Sequence, residues 1–307
     1  MGSPNSMTVK ERILKFLEYV LFRLIVGFLQ VIPLNIRIRL SEKLVLSAAH
    51  LLKKNVNIIK SNIQKAFPDK SAEWVNEIAQ KNIKNMGKFV AEFLEVPYLH
   101  TGKSKAQIIH QPSKEKTTDW FKNGGILILG HIGNWEWHGS LVSNWMPGRI
   151  YAMAKRQSNP WSNKYFEKIR SSGGAKSIFT DGSIFEPIRI IKNKNMVGFL
   201  ADQDAGKNGE FHIFLNQQAS TFTGPAVLSR VTHSRVFFAY SYRNENKLYS
   251  FIEEIQTPSV DPKKNPDEWD RQFTQTWVSR LEEVVKKYPQ DYFWAHNRWK
   301  TRPKIDV

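Results

Sequence analysis

One stretch leaves the backbone few choices: Gly124 to Gly139, reading Gly-Gly-Ile-Leu-Ile-Leu-Gly-His-Ile-Gly-Asn-Trp-Glu-Trp-His-Gly. Residues 126–129 are a short apolar run that reads as a buried strand. Gly130 and Gly133 break it, and Asn134 stands where an N-cap belongs ahead of a helix over residues 135–145. His131 is thereby placed on a strand-to-helix turn. Glu136 lies five residues on and would face about 140° away on a continuous helix at roughly 100° per residue. The two can meet only if the histidine stays on the turn and the carboxylate curls back from the first helical turns. Glu136 would then accept from one imidazole nitrogen and fix the tautomer, while the other nitrogen takes a proton from a substrate hydroxyl. Free backbone N–H groups of Gly133, Asn134 and Trp135 would point at the same spot and suit an anion or a developing oxyanion. The plainer alternative is a histidine that caps a turn and a glutamate on a solvated helix face.

Charge and missing residue types narrow what such a turn could act on. Lys and Arg number 45 against 28 Asp and Glu, a net charge of +17, which calls for an anionic partner. Nucleic acid, an anionic membrane surface and a phosphorylated substrate are the candidates. With no cysteine in the chain, disulfides, cysteine-based zinc sites and a cysteine acyl-enzyme are excluded. Any covalent catalysis would therefore need a serine or other nucleophile in place of cysteine. Residues 1–6 read as a cloning remnant, residues 7–35 as an N-terminal membrane-anchoring helix and residues 36–307 as a single α/β domain.

The anchor reading comes from residues 13–32, rich in Ile, Leu, Phe and Val but interrupted by Lys15, Glu18 and Arg23. Length favours a tilted span, the charges an interfacial helix, and a soluble core helix is the third possibility. No small-residue cleavage site follows, which argues against a removed signal peptide. Arg37, Arg39, Lys43, Lys53 and Lys54 would suit a cytoplasmic, anionic leaflet. Residues 37–99 have helical periodicity, with Leu40, Leu44 and Ala48 on one face and Trp74, Ile78 and Ile83 forming another stripe. From 107 to 206, apolar runs at 108–109, 126–129, 150–154 and 196–201 alternate with helices near 117–122, 135–145, 161–171 and 184–192. This predicts an α/β fold with a mixed, largely parallel sheet flanked by helices, and ligand sites at the carboxyl ends of the strands. Residues 236–240 and 248–255 read as a hairpin with Asn244 to Asn246 in its turn. Residues 266–287 read as one amphipathic helix whose stripe of Trp269, Phe273, Trp277, Leu281 and Val284 is packing.

Two further groups bear on chemistry. Arg156 leaves the 150–154 strand, and Arg170 ends a helix before Gly173-Gly174; an arginine fork can hold two phosphate oxygens. Each reads equally well as part of a solvated basic helix. Asp202 and Asp204 flank Gln203 in a loop after a strand. Without further ligands at close spacing they do not make a metal site, and they read as a brace for the basic substrate pocket.

His131-Ile-Gly-Asn-Trp-Glu136 resembles the H-x4-D/E motif of the glycerolipid and lipid A acyltransferases. It looks most like the late acyltransferases of lipid A biosynthesis, the lauroyl and myristoyl transferases of Gram-negative bacteria. The Arg156–Arg170 segment resembles the family's second block and Asp202-Gln203-Asp204 its third. Where that third block usually continues Phe-Phe-Gly, this chain has Phe214-Leu215-Asn216. Thr223-Gly224-Pro225 resembles the fourth block, Asn62-Ile63 to Ala66-Phe67-Pro68 a pattern near the family's start, and residues 292–303 its tryptophan, histidine, arginine and lysine ending.

The resemblance implies transfer of a fatty acyl chain from acyl carrier protein to a hydroxyl of a Kdo-bearing lipid A precursor, with no cofactor beyond the acyl donor and no metal. In that scheme His131 is the general base, Glu136 holds it, Gly133, Asn134 and Trp135 support the oxyanion, and Arg170, then Arg156, grip the acceptor phosphate. Implied partners are acyl carrier protein, itself acidic, the phosphorylated lipid A precursor and an anionic membrane surface, with no nucleic acid. The implied location is the cytoplasmic face of a Gram-negative inner membrane. Two alternatives stay open: an acyltransferase acting on lysophosphatidic acid or another lysolipid, and a non-catalytic basic protein that binds membrane or nucleic acid.

Overall fold

The computed structural model describes residues 7–303 apart from Leu52, Lys105, Asp181, Gly182, Ile184 and Asn246. The expected remnant at 1–6, the last four residues, the expected helix start at Ile184 and Asn246 of the expected turn lie outside the described residues. Thr8 opens the first helix, α1 (Val9–Val31), with a capping box: its hydroxyl accepts from the Glu11 N–H and the Glu11 carboxylate accepts from its own N–H. Ile13, Leu17, Leu21, Leu24 and Phe28 recur at helical spacing on the exposed face, while Val26 and Leu29 are buried. Among the described residues no helix is long and apolar enough to cross a membrane. The spanning alternative is left without a helix to carry it, and α1 is amphipathic.

Pro33 separates α1 from α2 (Leu34–Leu51), followed by α3 (Lys53–Ala66) and, beyond Pro68, α4 (Ala72–Phe93), capped by Ser71. Two expectations change here. Leu44 is 54% exposed, so the Leu40–Leu44–Ala48 stripe is not the buried face of α2, which turns Arg37 and Ser41 inward. Arg37, read as a leaflet charge, is sealed in the interior as the ion partner of Glu95 and donates to the Leu29 carbonyl. A buried guanidinium needs a carboxylate more than it needs a lipid headgroup. The close crossing of α2 and α4 depends on Gly87, where a Cβ would lie 2.7 Å from the Glu42 Cα. Ile78 and Ile83 of the second stripe are buried as expected, with Trp74 packed beside them.

The sheet half follows as β1 (Ile108–Gln111), α5 (Lys114–Phe121), β2 (Gly125–Leu129), α6 (Trp135–Trp145), β3 (Ile150–Ala154), α7 (Pro160–Ser172), β4 (Lys176–Phe179), α8 (Phe185–Lys192) and β5 (Met196–Leu200). A small hairpin, β6 (Glu210–Phe214) and β7 (Gln217–Thr221), precedes α9 (Gly224–Thr232), β8 (Val236–Asn244), β9 (Lys247–Glu254) and α10 (Pro266–Lys287). Seven strands line up as β1-β9-β8-β2-β5-β3-β4, and every neighbouring pair is parallel except the β8–β9 hairpin. The helices of such βα crossovers bury a parallel sheet on both faces.

The central strand shows how. Ile126 and Ile128 join one apolar cluster with Trp269, Phe273 and Trp277 of α10. Leu127 and Leu129 join another with Phe121 of α5 and Val142 of α6. A period of two thus sends alternate residues of one buried strand into two cores. The α10 stripe expected to be packing is buried throughout.

Candidate active site

β2 and β5 are neighbours in parallel register, with Leu129 opposite Leu200. Two residues past each of those positions, at the same carboxyl edge, stand His131 and Asp202. His131 Nδ1 lies 2.6 Å from Asp202 Oδ1, and the His131 backbone N–H donates to Oδ2 at 2.9 Å. An ionised carboxylate only accepts, so Nδ1 carries a hydrogen, and it is Nε2 that holds the lone pair when the ring is neutral. Burial of Asp202 pushes its carboxyl up, but the two hydrogen bonds and charge of His131, with Arg298 nearby, outweigh this and hold it below the ordinary carboxylate value. His131 remains 15% exposed, Asp202 only 1%. Around the ring sit Trp135 and Phe293, with ring centroids 4.8 and 6.0 Å away, and the Gln203 amide, whose Nε2 is 3.4 Å from His131 Nε2.

The turn after His131 is fixed from several sides. Gly133 has φ +67°, and a Cβ there would lie 2.3 Å from the Ser241 carbonyl oxygen, so only glycine fits. Its N–H donates to the Asp291 carbonyl at 2.9 Å. Asn134, fully buried, caps α6 by accepting from the Trp137 N–H, while its own N–H donates to Ser241 Oγ at 2.9 Å. The expected oxyanion support therefore changes. The Gly133 and Asn134 N–H groups are occupied by the protein that shapes the turn, and of the three only the Trp135 N–H has no acceptor among the described residues.

Glu136, expected on the imidazole, is turned elsewhere. Arg170 Nε reaches both of its oxygens at 3.1 Å, and Arg170 Nη2 reaches Oε1 at 2.6 Å. The helix begins at Trp135, so Glu136 leaves along α6 towards α7, and Asp202 from the neighbouring strand takes the one hydrogen that Nδ1 can offer. Burial lowers the Arg170 pKa, but the Glu136 and Glu167 carboxylates raise it further and keep the guanidinium charged. Arg156 is exposed and lies over the Phe179 ring at 3.7 Å. Its strand, β3, is separated from β2 by β5, so Arg156 does not leave the sheet directly beside the His131 turn.

Asp204, expected to brace the substrate pocket, holds the C-terminal segment instead. Its oxygens accept from the Thr301 N–H at 3.2 Å and hydroxyl at 2.9 Å, and its own N–H donates to His296 Nε2 at 2.9 Å. Burial lowers the His296 pKa, which suits a neutral ring accepting at Nε2. Arg298, 2% exposed, donates to the carbonyls of Gln203 and Ser220 and to Thr221 Oγ1. Gln203 and Phe293 beside the His131 ring, and His296 and Arg298 on the loop after β5, are not singled out by the sequence as site residues; the Asp-Gln-Asp loop and the density of aromatic and basic residues in 292–300 are the local signals for them. Among the described residues no three His, Asp or Glu side chains are grouped to hold a metal ion.

The fold and site together define a mixed, largely parallel α/β protein that carries, at the carboxyl edge of its sheet, a histidine oriented by a buried aspartate. The chain belongs to the bacterial lipid A biosynthesis acyltransferases, whose family pattern matches residues 7–301. It is 24% identical over 266 residues to the lipid A biosynthesis lauroyltransferase of Escherichia coli (strain K12), covering 84% of this chain and 83% of that one. It is 22% identical over 263 residues, covering 83% and 82%, to the lipid A biosynthesis palmitoleoyltransferase of the same strain, and equally to a lipid A biosynthesis acyltransferase of Shigella flexneri.

Proposed function

We propose that this acyltransferase moves a fatty acyl chain from the thioester of an acyl carrier protein to a hydroxyl of a Kdo-bearing lipid A precursor. The observation that carries the reading is the 2.6 Å contact of His131 Nδ1 with Asp202, in a member of this family. His131 Nε2 takes the proton of the acceptor hydroxyl as its oxygen attacks the thioester carbon. Asp202 holds the tautomer and stabilises the imidazolium that forms. The new C–O bond forms, the C–S bond breaks, and the proton passes from His131 to the departing thiolate. The Trp135 N–H is the backbone donor available to the oxyanion.

Glu136 acts through Arg170 in this scheme. It holds the Nε and Nη2 edge of the guanidinium and leaves Nη1 for an acceptor phosphate. The exposed apolar face of α1 supports attachment to a membrane surface, with the helix lying in the interface. On the family reading that surface is the cytoplasmic face of a Gram-negative inner membrane, where a lipid acceptor is presented.

The test is transfer in detergent from labelled acyl carrier protein to a Kdo-bearing lipid A precursor, run beside lysophosphatidic acid and beside His131→Ala. Transfer to the lipid A precursor that vanishes in the variant is the expected result. Preferred transfer to lysophosphatidic acid would move the enzyme to another acceptor, and near-normal turnover in His131→Ala would remove the base.

A further inference from the structure

Outside the His131 site, α3 and the C-terminal segment enclose a groove of about 470 Å³. Lys54, Asn57, Ser61 and Lys65 contribute one face of α3 at helical spacing, and Asn297 stands in the opposing wall. Over its 14 residues α3 carries four lysines and no aspartate or glutamate. Lys300 and Arg302 are exposed on the adjoining segment. Among the described residues the lysines with ion partners are Lys81, Lys88, Lys122 and Lys286; those of α3 are not among them. An uncompensated row of this kind raises the local potential and draws acidic partners.

Location decides between a membrane and a protein as that partner. α4, with 22 residues at 1.5 Å each, is about 33 Å long. Val26 and Leu29 of α1 share an apolar cluster with Phe93 and Leu94 at its carboxyl end. Ile59 and Ile63 of α3 share a different cluster with Val75, Ile78 and Ala79, in its first half. α1 and α3 thus pack on different clusters along α4, and the lysine face, with Asn297 opposite it, lines a groove where a bilayer offers a flat surface.

The groove is also joined to the base. Asn62, buried in its floor, donates to the carbonyls of Trp294 at 2.9 Å and His296 at 2.8 Å. In the same segment the Phe293 N–H donates to the His131 carbonyl at 2.9 Å, and His296 accepts from the N–H of Asp204. Residues 293–297 therefore run from the catalytic turn to the groove wall.

We propose that this groove is the docking surface for an acidic helix of the protein that carries the acyl thioester, an inference that rests on the carrier-protein donor proposed above. Docked there, the carrier would sit on the segment that is also hydrogen-bonded to the His131 turn.

The experiment compares the full chain with Lys54→Glu, Lys65→Glu and the double variant, with Lys54→Gln/Lys65→Gln as the neutral control. Binding of fluorescently labelled holo acyl carrier protein is followed by anisotropy across salt concentrations. Transfer is measured in parallel from the acyl carrier protein and from an acyl-pantetheine thioester, which lacks the acidic protein. The double reversal is expected to weaken carrier binding about tenfold or more and to flatten its salt dependence, with the neutral pair in between. The KM for the acyl carrier protein should rise while transfer from acyl-pantetheine is unchanged. Equal binding by the wild type and the double variant, or no binding by the wild type, overturns the proposal. So does a double variant that keeps the carrier but loses phosphatidylglycerol vesicles, which would give the face to the membrane. A wild type that binds the carrier through these lysines yet transfers its acyl chain to no acceptor would sink the proposed function and leave the docking surface standing.

Discussion

Glu92 of α4 and Arg243 of β8 form a closed, buried ion pair beside the His131 turn. Both terminal nitrogens of the guanidinium donate to the carboxylate, with Nη1 at 2.6 Å from Oε1. The same carboxylate accepts from Asn134 Nδ2 at 2.8 Å, and the Glu92 carbonyl accepts from Trp137 Nε1. One glutamate thus ties the N-cap and first turn of α6 to the sheet.

Glu92→Gln should therefore damage both stability and rate. It leaves Arg243 buried without its counter-charge, a loss on the order of 3–5 kcal/mol for a broken buried pair. Urea unfolding should show that drop. Turnover of the fraction that remains folded should also fall, because the one amide oxygen of glutamine cannot serve both Arg243 and Asn134 as the carboxylate does. A change below about 1 kcal/mol with normal turnover would mean that the pair does not hold the turn.

The part of this site that follows local rules was legible in the sequence. The strand at 126–129, the glycine break, the Asn134 cap and the helix after it each follow from residues within a few positions of one another. What joins His131 to Asp202 does not. Their contact spans 71 positions and depends on β5 pairing with β2, a strand order that no local period encodes. Glu136 looked like the partner because it was close in sequence. The β6–β7 hairpin escaped notice for a different reason: its turn residues, Leu215 and Asn216, have φ of +50° and +59°, a conformation that sequence usually marks with glycine. Here a fully buried Leu215 takes that place, with its N–H donating to Glu282 at 2.6 Å. Arg37 was misplaced because a charge beside an apolar helix reads as surface until its partner, 58 residues on, is known.

Pairing of Glu136 with Arg170 predicts that the two act as one unit. Glu136→Gln and Arg170→Gln should each raise the acceptor KM more than the donor KM, and the double variant should be little worse than either. A double-mutant cycle on kcat/KM for the acceptor is expected to give a coupling of roughly 1–3 kcal/mol. Independent effects, or a Glu136→Gln variant whose pH profile matches loss of the base, would return Glu136 to the imidazole.

A second pair of histidines predicts how stability responds to acid. His138, 1% exposed, and His110 both contact Ser250 Oγ through Nδ1 at 2.8 Å. Burial pushes the pKa of His138 down to about 3 and that of His110 down to about 4, from 6.5. A histidine depressed in the folded state binds fewer protons there than in the unfolded chain. Its stabilisation is complete above pH 6.5 and is lost as pH falls towards the folded value. At pH 5 His138 alone should cost roughly 2 kcal/mol relative to pH 7.5. Unfolding curves at the two pH values, for the wild type and for His138→Gln, test this: the acid loss should shrink in the variant. An equal loss in both would assign the acid sensitivity to other groups.

Asp202→Asn isolates the orienting contact from the fold. The aspartate uses one oxygen for the His131 backbone N–H and the other for Nδ1. Asparagine has one carbonyl oxygen for both duties. If that oxygen keeps the backbone N–H, the amide NH2 faces Nδ1 and can only donate to it. The imidazole hydrogen is then driven to Nε2, the nitrogen that has to accept the hydroxyl proton. Turnover should fall by on the order of 10²–10⁴ while the KM for the acyl donor stays close to normal. His131→Ala should cost as much, and the double variant little more, since the pair works through a single nitrogen. An asparagine variant that retains most of its turnover would show that Nε2 does not need Asp202 to present its lone pair. The proton would then have to leave through another group, with the Gln203 side, 3.4 Å from Nε2, the first place to look.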